Sequence, residues 1–523
     1  MKYPIGIQDF ESIINNGYVY VDKTALIYRL VTEGKIYFLS RPRRFGKSLL
    51  ISTLEAYFNG QKELFQGLAI DDLETEWAEY PVFHLDFNGE DYTTPGKLEE
   101  KIIGAVETWE AEYGRDPYKQ ALGDRFIYVL AQAAKKYNRR AVVLIDEYDK
   151  PILDVLDTDT SIHIHGEQRL LEDHHRNILK GFYSTFKAAD ANLQFVLLTG
   201  VTKFSQVSVF SGFNQPADIS MSRDFEALCG ITEEELYRYF AEPIAKLAEE
   251  NDCSVDEMKQ MLKKQYDGYH FGKRMTDIYN PFSILNAFYM CNIDDYWFRS
   301  GTPSYLIRLL NHTQENLNEL TGKYYDTSEF IDYKADVEKP LPMIYQSGYL
   351  TIKNFDKSLN LYTLGFPNDE VKYGFLKFLI PYYTPISSDE TDFNAVKFVR
   401  ELQSGDVHSF MERMKSFFAD IPYELNTKTE RHYQVIFYLV FKLMGQYVDA
   451  EVRSAKGRAD AVVKTKDRIY VFEFKLEGTV DEALKQIDEK GYLLPYRTDG
   501  RELVKVGVSF NAEERNIGEY KVV

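Results

Sequence analysis

Three short stretches bring together residue types that could do chemistry. "RPRRFGKSLL", residues 41 to 50, ends its loop in Gly46-Lys47-Ser48, the trailing half of the phosphate-binding pattern G-x-x-x-x-G-K-[ST]. Arg41 stands where that pattern has its leading glycine. Lys47 would reach the β- and γ-phosphates of a nucleotide as a point charge, and the Ser48 hydroxyl would sit on Mg²⁺. "AVVLIDEYDK" is an apolar run that closes on Asp146 and Glu147. Asp146 would hold the magnesium from the strand end, while Glu147 would orient or deprotonate the attacking water. "GRADAVVKTKDRIYVFEFKLEG" carries Asp460 and, 13 residues later, Glu473 with Lys475 two positions on. Residues two apart share one face of a strand, so Glu473 and Lys475 project together, and a hairpin brings Asp460 beside them. Asp460 and Glu473 would bind Mg²⁺ or Mn²⁺ through hard oxygens. Lys475 would steady the attacking water or the charge that develops on a phosphodiester. Glu430, at the start of the preceding helix, is the candidate third acid of this set, and Gln486 lies on the following helix.

Each stretch also has a plainer reading: a solvated basic loop, an acidic turn capping a helix, a hairpin with ordinary strand charges. Context decides between them. "IYFL" before the basic loop reads as a buried strand, and "SLLISTLEAYF" after it has helical apolar spacing. Strand, loop, helix sets a helix N-terminus against a phosphate. The acidic pair follows roughly 100 residues later, again at a strand end, and both motifs together favour a nucleotide site. "FVLLTGVTKF" supplies another strand ending in Thr199, whose hydroxyl could sense a γ-phosphate or simply terminate the strand.

The elements that must position these residues can be read coarsely. Short apolar runs at Ile36–Leu39, Val82–Phe87, Ala141–Asp146 and Phe195–Thr199 alternate with helical stretches, the pattern of a parallel sheet covered on both faces. A polar insertion, "DTDTSIHIHGEQRLLEDHH", reads as a long loop, its four histidines solvent-facing rather than metal-binding. From about 231 to 390 the chain reads as helical and aromatic, opening on a capping box at Thr232 and Glu235. An amphipathic stretch from Glu430 to Met444 then leads into strand-like runs of a small α/β domain. The expected division is 1–230, 231–400 and 401–523.

Composition bounds the function classes. A chain of 523 residues with 35 Phe and 39 Tyr has ample material for more than one packed core. The net charge of −19 argues against indiscriminate coating of nucleic acid, but not against a local basic channel. Cys229, Cys253 and Cys291 form no C-x-x-C pair and read as reduced thiols. No secretory signal or membrane span is visible, so a cytoplasmic location is expected.

"YPIGIQDF", "YVYVDKT", "RPRRFGKSLL", "LIDEYDKP" and "LLTGVTKFS", with "YDGYHFG", "YNPFSIL" and the C-terminal motifs, resemble a bacterial AAA-ATPase-like family with a C-terminal PD-(D/E)xK nuclease-like domain. The resemblance spans essentially the whole chain. It implies an α/β fold with a P-loop AAA-type core, a helical lid or linker, and a small α/β nuclease-like domain. In that family the R-P-R-R-F-G-K-S loop is the usual form, so Arg41 is not a sign of decay. Arg41, Arg43 and Arg44 then have two readings: phosphate clamps in cis, or contacts to a neighbouring subunit of a homo-oligomer. Ala459-Asp460 in place of Pro-Asp departs from the PD-(D/E)xK pattern and weakens it. The resemblance to that nuclease superfamily implies a supporting polar residue at Gln486. The implied ligands are ATP and Mg²⁺, with Mn²⁺ an alternative at the nuclease site, and the implied partner is DNA. Two functions remain open: ATP hydrolysis coupled to metal-dependent DNA cleavage, or a nucleotide-gated binding protein whose nuclease-like domain does not cleave.

Overall fold

A computed structural model describes the chain except residues 165, 205–215, 302–304, 307–320, 332–339, 384–387, 420–429, 446–447, 453–458, 476–477, 512 and 515. For 164, 380–383, 388–394, 430–435, 449 and 451–452 only the backbone is described. The chain divides into two compact units, Met1–Glu315 with Lys323–Glu370, and Asn316–Gly322 with Val371–Val523.

In the first unit, β1 (Ile36–Ser40), β2 (Val82–Asp86), β3 (Ala141–Asp146), β4 (Leu193–Gly200) and β5 (Ala217–Asp218) form one sheet in the order β2-β3-β4-β1-β5. All its pairings are parallel. The unbroken apolar sequence of β3 follows from its place: every residue from Ala141 to Asp146 is buried, because helices cover both faces. Placing β1 between β4 and β5 puts its C-terminal end, where residues 41–46 turn away, beside the end of β4 and one strand from that of β3. The helix Lys47–Phe58 begins directly after that turn, with Gly46 at φ 94 as its N-cap. A side chain there would have space but not the conformation, which is the reason for glycine.

Two readings change. The insertion after β3 is structured: Ser161–Ile164 and Glu167–Leu170 pair as an antiparallel hairpin, and Leu171 starts a helix running to Ala188. The short polar hairpin hid its period, and the buried positions of the helix begin only at Leu171 and His175. The region after 231 opens on the expected capping box at Thr232 and Glu235, but also holds a three-stranded antiparallel sheet of Tyr324–Tyr325, Leu361–Gly365 and Thr351–Asp356. Residues 231–315 and 323–370 belong to the same compact unit as the parallel sheet. No described helix is long and apolar enough to cross a membrane.

The second unit centres on β6 (Asp449–Val452), β7 (Ala461–Lys464), β8 (Arg468–Lys475), β9 (Glu502–Asn511) and β10 (Asn516–Val522), in sequential order. Only β8 and β9 run parallel. The alternation of β8 does the positioning. Phe472 and Phe474 face the helix Glu430–Met444, where Phe474 stacks on Phe437 at 4.1 Å and Phe472 meets Phe441 at 5.1 Å. Burying two such rings is worth roughly 2 kcal/mol or more each. A one-residue slip would drive Glu473 into that aromatic layer, so the register is strongly fixed.

Candidate functional site

In the first unit the loop 41–46 and the end of β3 converge. Lys47, almost wholly buried, places Nζ 3.4 Å from Glu147 Oε1 and donates to the carbonyls of Arg41 at 3.2 Å and Pro42 at 3.5 Å. Glu147 adopts a left-handed backbone at φ 49, stabilised by its N–H donating to Asp146 Oδ1 at 3.0 Å. The Thr199 hydroxyl donates to the same oxygen at 2.5 Å. Two neighbouring strands therefore fix Asp146, and the turn after it aims Glu147 at the lysine. A cleft of about 420 Å³ opens here, lined by Arg43, Arg44, Gly46, Lys47, Ser48 and Glu147, with Asn88, the segment Pro4–Gln8, and Pro281, Phe282 and Leu285 on its other walls.

Arg41 does not reach this cleft, contrary to its expected place among the phosphate contacts. Its guanidinium is buried and donates to the carbonyls of Ser220 at 2.7 Å, Phe225 at 3.2 Å and Glu226 at 3.4 Å, while lying 4.2 Å over the Phe271 ring. Burial depresses its pKa. By donating to these backbone carbonyls, Arg41 stitches the loop's entry to residues 220–226. The same burial removes it from any surface contact with a neighbouring subunit. Arg43 and Arg44 do line the cleft, Arg44 lying 5.0 Å over the Phe282 ring. Thr199 is fully buried, and its hydroxyl is spent on Asp146.

Asp149, two residues past Glu147, was not singled out from sequence. Its Oδ2 accepts the N–H groups of Val201 at 3.0 Å and Thr202 at 2.6 Å, tying the turn after β3 to the exit of β4. Oδ1 is buried without a hydrogen-bond partner among the described residues. Burial, reinforced by the neighbouring Glu147 carboxylate, raises the Asp149 pKa to about 7. An acid so close to the Asp-Glu pair was visible in "LIDEYDK"; its inward direction was not.

In the second unit β7 and β8 pair antiparallel with Ala461 opposite Phe472, so Asp460 lies next to Glu473. Asp460 Oδ2 accepts the Phe474 N–H at 2.9 Å. Lys475 Nζ lies 3.5 Å from Glu473 Oε1 and donates to Gln486 Oε1 at 2.5 Å. The Gln486 amide donates in turn to Glu473 Oε1 and, at 3.3 Å, to the Tyr492 hydroxyl. Gln486 reaches this point from the helix Val480–Glu489, started by a capping box between Thr479 and Glu482. Burial, with Asp460 adding to it and Lys475 opposing, raises the Glu473 pKa to about 7. Glu473 Oε2 is buried and has no hydrogen-bond partner among the described residues. A hard cation would satisfy that orphaned oxygen, so Asp460 and Glu473 fit a divalent metal. Glu430 is the first residue of its helix, but its side chain lies outside those described.

The histidines of the insertion are not gathered: His174 meets Glu99 at 2.6 Å and His175 Nδ1 meets the Pro151 carbonyl at 2.8 Å. His165 lies outside the described residues, and no described group of His, Cys, Asp and Glu forms a metal cluster.

The model of the AAA-ATPase-like family, described as "Predicted AAA-ATPase", matches residues 4–210. That of a PD-(D/E)XK nuclease superfamily matches residues 428–520. An "Uncharacterized protein in vnfD 5'region" of Azotobacter chroococcum mcd 1 is 33% identical over 527 residues, covering 99% of this chain and 98% of its own. The chain belongs to the AAA-ATPase-like family with a C-terminal PD-(D/E)xK nuclease-superfamily domain. Within that family, the first motif match holds the 41–48 loop, Asp146, Glu147 and Thr199, and the second holds Glu430, Asp460, Glu473, Lys475 and Gln486. Among solved structures, the ORC1 protein of Aeropyrum pernix in complex with DNA aligns over 68% of this chain and 92% of its own, at 10% identity and a TM-score of 0.24.

Proposed function

We propose that the protein binds and hydrolyses ATP at the cleft between Lys47 and Glu147, and that this cycle governs a metal-dependent DNA nuclease built on Asp460, Glu473, Lys475 and Gln486. The observation that carries the first half is the 3.4 Å pair of Lys47 with Glu147, above an Asp146 held by Thr199. Phosphate entering the cleft competes with Glu147 for the ammonium, so binding frees the carboxylate to take up a water proton. Ser48 and Asp146 would hold the magnesium that accompanies the nucleotide. In the second unit, Asp460 and Glu473 Oε2, which has no hydrogen-bond partner among the described residues, would hold the metal, which when bound polarises a phosphodiester and acidifies water. Lys475, steered by Gln486, delivers positive charge at the same face.

One observation favours the alternative of a nucleotide-gated binding protein without cleavage. Glu473 Oε1 and the Lys475 ammonium are both engaged by Gln486, a resting arrangement that a folded platform needs and a nuclease must loosen. Supercoiled DNA incubated with the protein and Mg²⁺ or Mn²⁺, with and without ATP, separates the two. Relaxation or linearisation lost in Asp460→Ala, and altered by ATP in wild type but not in Lys47→Ala, supports the coupled nuclease. Tight ATP binding in calorimetry without any cleavage supports the platform.

A further inference from the structure

The loop that carries Arg43 and Arg44 is held from behind by residues far along the chain. The indole N–H of Trp297 donates to the Arg43 carbonyl at 3.0 Å. Trp297 is 5% exposed and does not line the cleft, whereas Arg43 and Arg44 do. Its own position is fixed twice. The ring packs against Tyr349 at 5.4 Å, and its backbone N–H donates to Glu370 Oε1 at 2.6 Å. Beside it, Gly348 packs so closely that a Cβ would lie 2.7 Å from the Pro42 ring, at a φ of 89 that disfavours any side chain.

A trans peptide points its C=O and N–H in opposite directions. Pinning the Arg43 carbonyl toward Trp297 therefore turns the Arg44 N–H away from Trp297, in a loop whose other neighbour is the cleft that Arg43 and Arg44 line. Arg44 is itself left-handed, at φ 69. A left-handed residue in such a turn makes neighbouring amides converge into an anion-binding nest. Rotation of this one peptide plane would withdraw an amide from the nest without disturbing Lys47 or Ser48.

We propose that Trp297 is a positioning residue for the nucleotide phosphates, acting through the Arg43–Arg44 peptide. The proposal rests on the ATP-site reading above. Trp297→Phe tests it, because phenylalanine retains ring packing against Tyr349 and removes only the donor. One hydrogen bond of this kind controls roughly a five- to tenfold change in affinity. The expected result is that much weaker ATP·Mg²⁺ binding by calorimetry, with the melting temperature unchanged. A second measurement reads the contact directly: in a Trp77→Phe, Trp109→Phe background Trp297 is the one remaining tryptophan. Its emission should then shift on ATP titration with the calorimetric midpoint, and should stay constant when Lys47→Ala is added. Wild-type ATP affinity in Trp297→Phe overturns the proposal while leaving the ATP site standing. If Trp297→Phe melts several degrees lower, the emission titration decides, and no ATP-dependent shift overturns it. Failure of wild-type protein to bind ATP overturns the site reading and this proposal with it.

Discussion

Glu370 gives a prediction whose size can be worked from its surroundings. It is 1% exposed, accepts the Ser283 hydroxyl at 2.7 Å and the Trp297 N–H at 2.6 Å, and burial lifts its pKa to about 8 against those opposing donors. The unfolded chain gives up this proton near pH 4.5, whereas the folded chain keeps it until about 8. Between those values folding takes up a proton, so the contribution of this group to stability falls as pH rises. The slope is about 1.4 kcal/mol per pH unit. From pH 6 to 8 wild type should lose roughly 2 kcal/mol relative to Glu370→Gln, which keeps the carbonyl acceptor and cannot ionise. For a unit of this size that is a relative shift of roughly 3 °C in melting temperature. Thermal melts of both proteins at pH 6, 7 and 8, read by circular dichroism, should show the gap moving in favour of glutamine. Parallel curves would refute the reasoning, because they would mean that the hydroxyl and amide donors keep Glu370 ionised in the fold.

Three further outcomes follow from the site geometry. Arg41→Met should lower stability by about 2–4 kcal/mol in urea unfolding by removing the buried hydrogen bonds it donates to the carbonyls of Ser220, Phe225 and Glu226, yet leave ATP affinity of the folded protein unchanged; a selective loss of affinity would return Arg41 to the phosphate site. Glu147→Gln should retain ATP binding in calorimetry and lose phosphate release in a colorimetric assay, whereas hydrolysis at the parental rate would make Glu147 structural. Asp460→Ala and Glu473→Ala should lose Mn²⁺ affinity and DNA cleavage together, while Lys475→Ala keeps the metal and loses cleavage rate; equal cleavage by all three would place the activity elsewhere.

Much of this was legible because short-range rules were enough. The all-apolar run before Asp146 can only be a covered parallel strand, and the Phe-Glu-Phe-Lys alternation fixes which face of β8 carries Glu473. The capping box at Thr232 and Glu235 set a helix start without reference to anything distant. What was not legible depended on contacts far along the chain. Arg41 is a cation beside two other arginines, and nothing local says that carbonyls of residues 220–226 wait for it. Asp149 differs from Asp146 only in direction, which the left-handed turn at Glu147 sets. The antiparallel sheet near 351–365 escaped because its short strands follow equally short aromatic helices, Thr327–Phe330 and Leu341–Gln346, of similar composition.

The order of strands in the first sheet also bears on synthesis at the ribosome. β1 emerges well before its partners, β4 and β5, and Phe45 receives the N–H of Gly230. The braces behind the loop, Trp297 and Gly348, arrive later still. At translation rates of about 5–20 residues per second, the loop waits roughly 15–60 s between its own appearance and that of residue 348. For about the first half of that interval, until β4 emerges, β1 is an apolar strand with neither neighbour. Nascent chains stalled near residue 190 should therefore recruit holdase chaperones, and chains stalled well beyond 350, once that stretch has cleared the exit tunnel, should release them.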